Sequence, residues 1–316
     1  MRIFVAGATG ALGRHLVPLL VKNGHEVVGT TRSPAKAAIV QDAGAESVVL
    51  DALDRDAVIA AVVRAEPEVV VHELTALAGF TDVRKFDQGF RVTNRLRTEG
   101  TDHLLAAARA ARARRFVAQS FAGWPYARAG GPVKREQDPL DPDPPAALRS
   151  SLQAIRHLED AVLGAAGMTG IVLRYGAFYG PGTSLGQGGS QADAVRRRRF
   201  PIVGGGTGVW SFVHIEDAAA ATAAAIEHGA RGVYNIVDDD PAPVSAWLPG
   251  LAAALGARPP RRIPAWLARL VIGEHGVAVM TDARGASNAK AKRDLGWHPA
   301  NPSWRTGFAA LGGSAR

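Results

Sequence analysis

The residues with the most specific spacing stand at the beginning of this chain. Gly7-x-x-Gly10-x-x-Gly13 follows an apolar run, Ile3-Phe4-Val5, and leads into His15, Leu16, Leu19 and Leu20, spaced as on one face of a helix. A strand, a glycine turn and a helix in that order form a cradle for the pyrophosphate of a dinucleotide, because the positively polarised start of the helix faces the phosphates. Gly7 permits the tight turn, Gly10 lets phosphate approach backbone, and Gly13 lets the helix pack on the strand. Thr9, Ala11 and Leu12 complete the cofactor-binding turn.

About twenty positions beyond such glycines, an acidic residue would hold both hydroxyls of the adenine ribose of NAD. This chain has Thr30-Thr31-Arg32-Ser33-Pro34-Ala35-Lys36 there. Arg32 and Lys36 are placed to clamp the additional phosphate of NADP, with Thr31 or Ser33 donating hydrogen bonds, since a guanidinium matches phosphate and a carboxylate would repel it. NADP is therefore the expected cofactor, ahead of NAD. In the blander alternative Arg32 stacks on adenine and Lys36 is a solvated helix residue.

The elements that must position these groups alternate through the first half. Strand-like runs at 2–6, 26–30, 47–50, 69–72, 116–120 and 170–174 are separated by helical stretches at 13–23, 34–43, 55–65, 93–113 and 148–166. That rhythm predicts a parallel, doubly wound α/β sheet. Residues 129–145, rich in proline and glycine, read as a loop over the carboxyl edge of the sheet, where ligands bind. After Tyr179-Gly-Pro-Gly182 the pattern predicts short strands and loops around one helix near 217–228.

Composition narrows the functional classes. The chain has 316 residues, 47% of them apolar, and no cysteine, which excludes disulfides, thiolate catalysis and thiolate metal sites; no metal site of any kind is expected. It has no apolar run of about eighteen residues and no leader pattern at Met1-Arg2, so a cytoplasmic protein without a membrane partner is expected. The formal charge of +8 comes from arginines scattered through alanine-rich helices, without interleaved aromatics, which argues for solvated faces and against nucleic acid. Arg196–Arg199 is the densest basic cluster, either solvated or gripping an anion.

Over nearly its whole length the chain resembles the extended short-chain dehydrogenase/reductases, which include nucleotide-sugar epimerases and dehydratases. The resemblance rests on the glycine turn, Asp51, Val71-His72, Asn94, Gln119-Ser120, Leu173–Gly182, Phe212–Asp217, Val233–Val237 and Leu295–Pro299. It implies a Rossmann-type doubly wound sheet with a smaller C-terminal substrate-binding lobe. The boundaries it implies are 1–177 for the NAD(P)-binding domain, with its sheet completed from within 207–237, and 178–316 mainly for the lobe. It also implies that Asp51, Ala52 and Leu53 contact adenine, that Leu74, Thr75 and Gln119 line the cofactor, and that Tyr175, Gly176 and Ala177 meet the nicotinamide carboxamide.

Catalysis in that family uses a Tyr-x-x-x-Lys pair on the helix after the fifth strand, with a serine at the strand end. The lysine lowers the tyrosine pKa and holds the nicotinamide ribose, so that the phenol exchanges a proton with substrate during hydride transfer. Registered by Glu159-x-x-Val162, the helix carries Ser151 in place of the tyrosine and Ile155 in place of the lysine, and none of the four tyrosines has a lysine four positions on. The catalytic candidates are then Ser120, with a turn-capping alternative, Ser151, and Tyr126, either a phenolic acid or an aromatic lid. His72 and Glu73 end the fourth strand, with a structural role favoured for the histidine. His157 reads as a packing or surface residue. Ser184, Gln187, Trp210 and Phe212 are expected to face substrate.

The function implied is an NADP-dependent oxidoreductase acting on a carbonyl or related group of a small metabolite. An epimerase or dehydratase, and a non-catalytic NADP-binding sensor, are the alternatives. Alanine-rich faces at 101–113 and 154–166 would allow a homodimer.

Overall fold

Short, continuously apolar strands build the centre of the molecule. The computed structural model describes residues 1–77 and 83–313. In chain order the first half comprises β1 (Arg2–Ala6), α1 (Gly13–Lys22), β2 (Glu26–Thr31), α2 (Ala37–Asp42), β3 (Glu46–Val49), α3 (Arg55–Ala65) and β4 (Val69–His72). There follow α4 (Phe86–Arg95), α5 (Thr101–Ala110), β5 (Arg115–Phe121), α6 (Ala146–Leu163) and β6 (Thr169–Tyr175). With β7 (Gly232–Ile236) they form a parallel seven-stranded sheet in the order β7-β6-β5-β4-β1-β2-β3. Valine-rich strands such as Val69-Val70-Val71 suit a sheet covered on both faces.

Alternation along the strands divides the core. Ile3, Val5, Val71, Val117 and Leu173 face α1 and α8 (Ile215–His228, after the short α7, Ser190–Arg196). Phe4, Val70, Phe116 and Ala118 face Leu104 of α5 and Leu158 and Val162 of α6. Register brings the strand tips together: Ala6 lies beside His72, His72 beside Ala118, Ser120 beside Arg174, and Phe121 beside Tyr175.

Two expectations need correction. The helix expected at 93–113 begins earlier, as α4, and is joined to α5 by a π-helical turn at Leu96–Gly100. The C-terminal part is not mainly strands and loops, because α9 (Val244–Ala254), α10 (Ala265–Thr281), α11 (Ala289–Leu295) and α12 (Trp304–Gly313) dominate it. Apolar residues of α9, α10 and α12 enclose a separate core of Trp247, Leu251, Trp304 and Phe308 with Tyr179 and Phe212, whereas Ala291 and Leu295 of α11 join the core on the α1/α8 face. α10 bends at Gly273, whose φ of 72° lies in the left-handed region. The 129–145 loop is tied down through Val133–Lys134, which pairs with Gly285–Ala286.

Candidate active site

The glycine turn has the shape its sequence demands. Gly7 adopts φ of 102°, and a Cβ there would lie 2.8 Å from the Glu73 carbonyl oxygen. A Cβ on Gly13 would lie 2.3 Å from the Gly7 oxygen, so the start of α1 rests directly on the turn. Gly10 differs: its Cβ would meet only the Gly7 oxygen, at 3.2 Å, which leaves open space on the exposed side. Gly7 N–H donates to Thr30 Oγ1 at 3.2 Å and Gly10 N–H to the Gly7 carbonyl at 3.0 Å. α1 has neither a side-chain cap nor an acidic residue in its first turn, so its leading N–H groups suit an anion. The cradle fits a pyrophosphate. Ala11 is exposed beside it, whereas Leu12 is buried and can offer only backbone.

At the adenosine end, Thr31 Oγ1 accepts from Thr9 Oγ1 at 3.3 Å and from Ser33 N–H at 3.2 Å. Arg32 and Lys36 are exposed and form no ion pair among the described residues. No carboxylate occupies this strand tip. Asp51 is exposed and accepts from Leu53 N–H at 3.0 Å, while buried Ala52 accepts from His103 through its carbonyl at 3.1 Å.

The tip of β4 is held from below. His72 is buried, with Nε2 3.2 Å from the Leu96 carbonyl and Nδ1 accepting from Leu74 N–H at 3.2 Å. Burial pushes its pKa down to about 4, so it is a neutral clamp on the turn. Glu73 points into the α1/α8 face, where Tyr175 donates to Oε1 at 3.2 Å and Thr222 shares the same phenol at 2.7 Å. Burial pushes the Glu73 carboxyl up to about 8. Thr75 is exposed at the cleft and Gln119 is half-buried. The Tyr175 side chain is core, and the N–H groups of Gly176 and Ala177 already donate to Ile236 and Ser211 carbonyls.

On the other face the expected catalytic residues are bound into the protein. Ser120 Oγ donates to Glu159 Oε1 at 2.6 Å, and Arg174 grips the same carboxylate at 2.8 and 2.5 Å. Tyr126 extends this network: its hydroxyl donates to Asn235 Oδ1 at 2.6 Å and accepts from Arg174 Nη1 at 3.0 Å. The tyrosine is 1% exposed, and burial pushes its pKa up. Tyr126 is thus neither a free phenol at the cleft nor a lid. It and Ser120 are parts of a buried ion-pair network. Ser151 is fully buried, its Oγ accepting from Asn94 Nδ2 at 3.1 Å, and Ile155 is 1% exposed. His157 pairs with Asp102 at 2.8 Å on the surface.

Other side chains gather at the cleft. Phe121 ends β5 and Trp124 follows it, Phe86 begins α4, and His275 lies on α10. Their rings interact in sequence, Phe121–Trp124 at 6.5 Å, Trp124–Phe86 at 6.1 Å and Phe86–His275 at 5.7 Å. Sequence reasoning missed this aromatic wall, since no local pattern joins positions so far apart. Of the substrate-facing residues expected, Phe212 and Trp210 belong instead to the lobe core, where Trp210 packs on Trp247 at 4.8 Å. Ser184 and Gln187 are exposed.

A parallel sheet with a glycine turn at its switch point defines a dinucleotide-binding α/β protein. The sequence pattern of the NAD dependent epimerase/dehydratase family matches residues 3–237, and the chain belongs to that family. It is 46% identical over 98% of its length, and 99% of the relative's, to a 3-diazoavenalumate denitrifying reductase from a Streptomyces species. A 4-hydroxy-2-methyl-3-oxo-4-farnesyl-3,4-dihydroquinoline-1-oxide ketoreductase from Stigmatella aurantiaca is 31% identical over 82% of this chain and 74% of its own. Among solved structures, a UDP-glucose 4-epimerase from Thermotoga maritima superposes with a TM-score of 0.79 at 22% identity, covering 98% of this chain and 97% of that one. The chain is an enzyme of the nicotinamide-dependent oxidoreductase or epimerase type, which sets aside the sensor alternative. Among the described residues no helix is long and apolar enough to cross a membrane.

Proposed function

We propose that the chain is an NADPH-dependent reductase that replaces the diazo group of a small organic acid with hydrogen, releasing dinitrogen. The observation that carries this reading is the pair of buried residues Ser151 and Ile155, where the family's proton donor and its lysine would stand. The 46% identical relative, whose name describes such a reaction, supplies the substrate class. A carbonyl oxygen gains negative charge when hydride adds to its carbon and calls for an acid beside it. Dinitrogen leaves as a neutral molecule with the carbon–nitrogen bonding pair and needs no such acid.

When bound, the dinucleotide supplies the hydride. A carbon bearing the group as a diazonium would take up that hydride, one carbon–hydrogen bond forming as the carbon–nitrogen bond breaks and dinitrogen departing with its bonding pair, so charge and electrons balance without a proton. The protein binds and orients. Gly7, Gly10 and Gly13 hold the pyrophosphate, Arg32 and Lys36 hold the ribose phosphate, and the Phe121–Trp124–Phe86 wall excludes water from the reacting carbon. In this scheme residues 1–177 with β7 hold the cofactor, and the lobe from 178 onward closes over substrate.

Ketone reduction is the second reading, favoured by the name of the Stigmatella relative. Offering the purified protein NADPH with 3-diazoavenalumate, a matched ketone or a UDP-sugar separates the readings. One dinitrogen per NADPH consumed supports the proposal. Turnover of the ketone or sugar nucleotide alone overturns it.

A further inference from the structure

Arg97 is a buried cation. It lies on the π-helical turn between α4 and α5, beside α6: one turn before it Asn94 touches Ser151, and one turn after it Asp102 touches His157 at 2.8 Å. Those two contacts set Arg97 against the stretch of α6 between Ser151 and His157, which contains Ile155. The Leu96 carbonyl, 3.2 Å from His72 Nε2, ties the same turn to the tip of β4. π-Helical turns of this kind recur at functional sites.

Arg97 is only 6% exposed, yet its Nη1 has no hydrogen-bond partner among the described residues. The anion acting on it is Glu159, whose carboxylate already binds Ser120 and Arg174. Burial lowers the guanidinium pKa to about 10, so the charge persists at neutral pH. On the same helical face, three residues earlier, Asn94 Oδ1 is also buried and has no partner among the described residues. A donor and an acceptor are thus left open three residues apart, on a segment that the Leu96–His72 contact ties to the tip of β4. A buried polar atom left without a partner is costly unless a ligand completes it.

We propose that Arg97 Nη1, with Asn94 Oδ1, binds the hydroxyls of the nicotinamide ribose, standing in for the ammonium that a lysine at position 155 would bring. A diol both donates and accepts, which matches the two open atoms better than an anion, which Asn94 Oδ1 would repel. The proposal rests on a nicotinamide dinucleotide occupying this cleft, but on no particular substrate.

Calorimetric titration tests it without turnover. Arg97→Met should weaken NADPH binding about tenfold to a hundredfold, the loss of one charge-assisted hydrogen bond. It should leave adenosine 2′,5′-bisphosphate, which lacks the nicotinamide ribose, within about twofold of its original affinity. Adding Ile155→Lys to Arg97→Met should recover part of the NADPH affinity. Unchanged NADPH binding by Arg97→Met overturns the proposal. Equal losses for both ligands, with no recovery by Ile155→Lys, also overturn it and leave Arg97 a folding residue. The expected loss and recovery of NADPH binding, in a protein that ignores diazo acids, would refute the proposed reaction alone.

Discussion

At neutral pH Glu73 keeps its proton, because burial raises its pKa to about 8. Its folded-state value exceeds the unfolded one, so its contribution to stability is complete below about pH 4.5 and is lost as pH rises toward 8. Glu73→Gln keeps an acceptor for Tyr175 and removes the titration. The difference in unfolding free energy between variant and parent should therefore move in the variant's favour by roughly 4 kcal/mol between pH 4.5 and 8, at about 1.4 kcal/mol per unit. Denaturant melts across that range check it, and a constant difference would contradict it. Tyr126 tests the network in the opposite way. Tyr126→Phe strands Asn235 Oδ1 and removes one partner of Arg174, so it should cost about 1–3 kcal/mol of stability and leave cofactor affinity unchanged. Sequence placed Tyr126 near the cleft but not its partner Asn235, which joins it only when β7 completes the sheet.

Elements were legible where one segment decides its own structure. The valine-rich strands and the glycine turn are such segments, and Gly7 and Gly13 are needed for reasons visible locally. Gly13→Ala would drive a Cβ into backbone that cannot yield, so it should destabilise the fold and abolish dinucleotide binding together. Gly10→Val fills only the space above the turn and should abolish binding while circular dichroism and melting temperature stay nearly constant. Equal effects of the two substitutions would show that the turn has no open side. The C-terminal helices were not legible, because the apolar faces of α9 and α12 meet each other and that of α10 meets Ile202–Val203, partners that no local pattern announces. The β2 tip was read from its charges alone, and Arg32→Ala should weaken NADPH by about tenfold to a hundredfold with NADH nearly unchanged. Equal affinity of the parent for both cofactors would refute the preference for NADP.

For the whole molecule, the sheet sets a cofactor cradle beside a cleft walled by aromatic rings from both halves of the chain. On the proposed reading Ser151 and Ile155 stand where the family pair would protonate an oxygen, and the residues that sequence offered as substitutes, Ser120 and Tyr126, bond to the ion pair of Glu159 and Arg174. A reductase built this way suits a leaving group that needs no proton. The direct measurement uses NADPH carrying deuterium at the transferable position of C4, with 3-diazoavenalumate as substrate and mass spectrometry of product and headspace. One deuterium on the carbon that held the diazo group, with one dinitrogen released per NADPH oxidised, is the predicted result. Product without deuterium, or deuterium delivered only to a ketone while the diazo group persists, would contradict it.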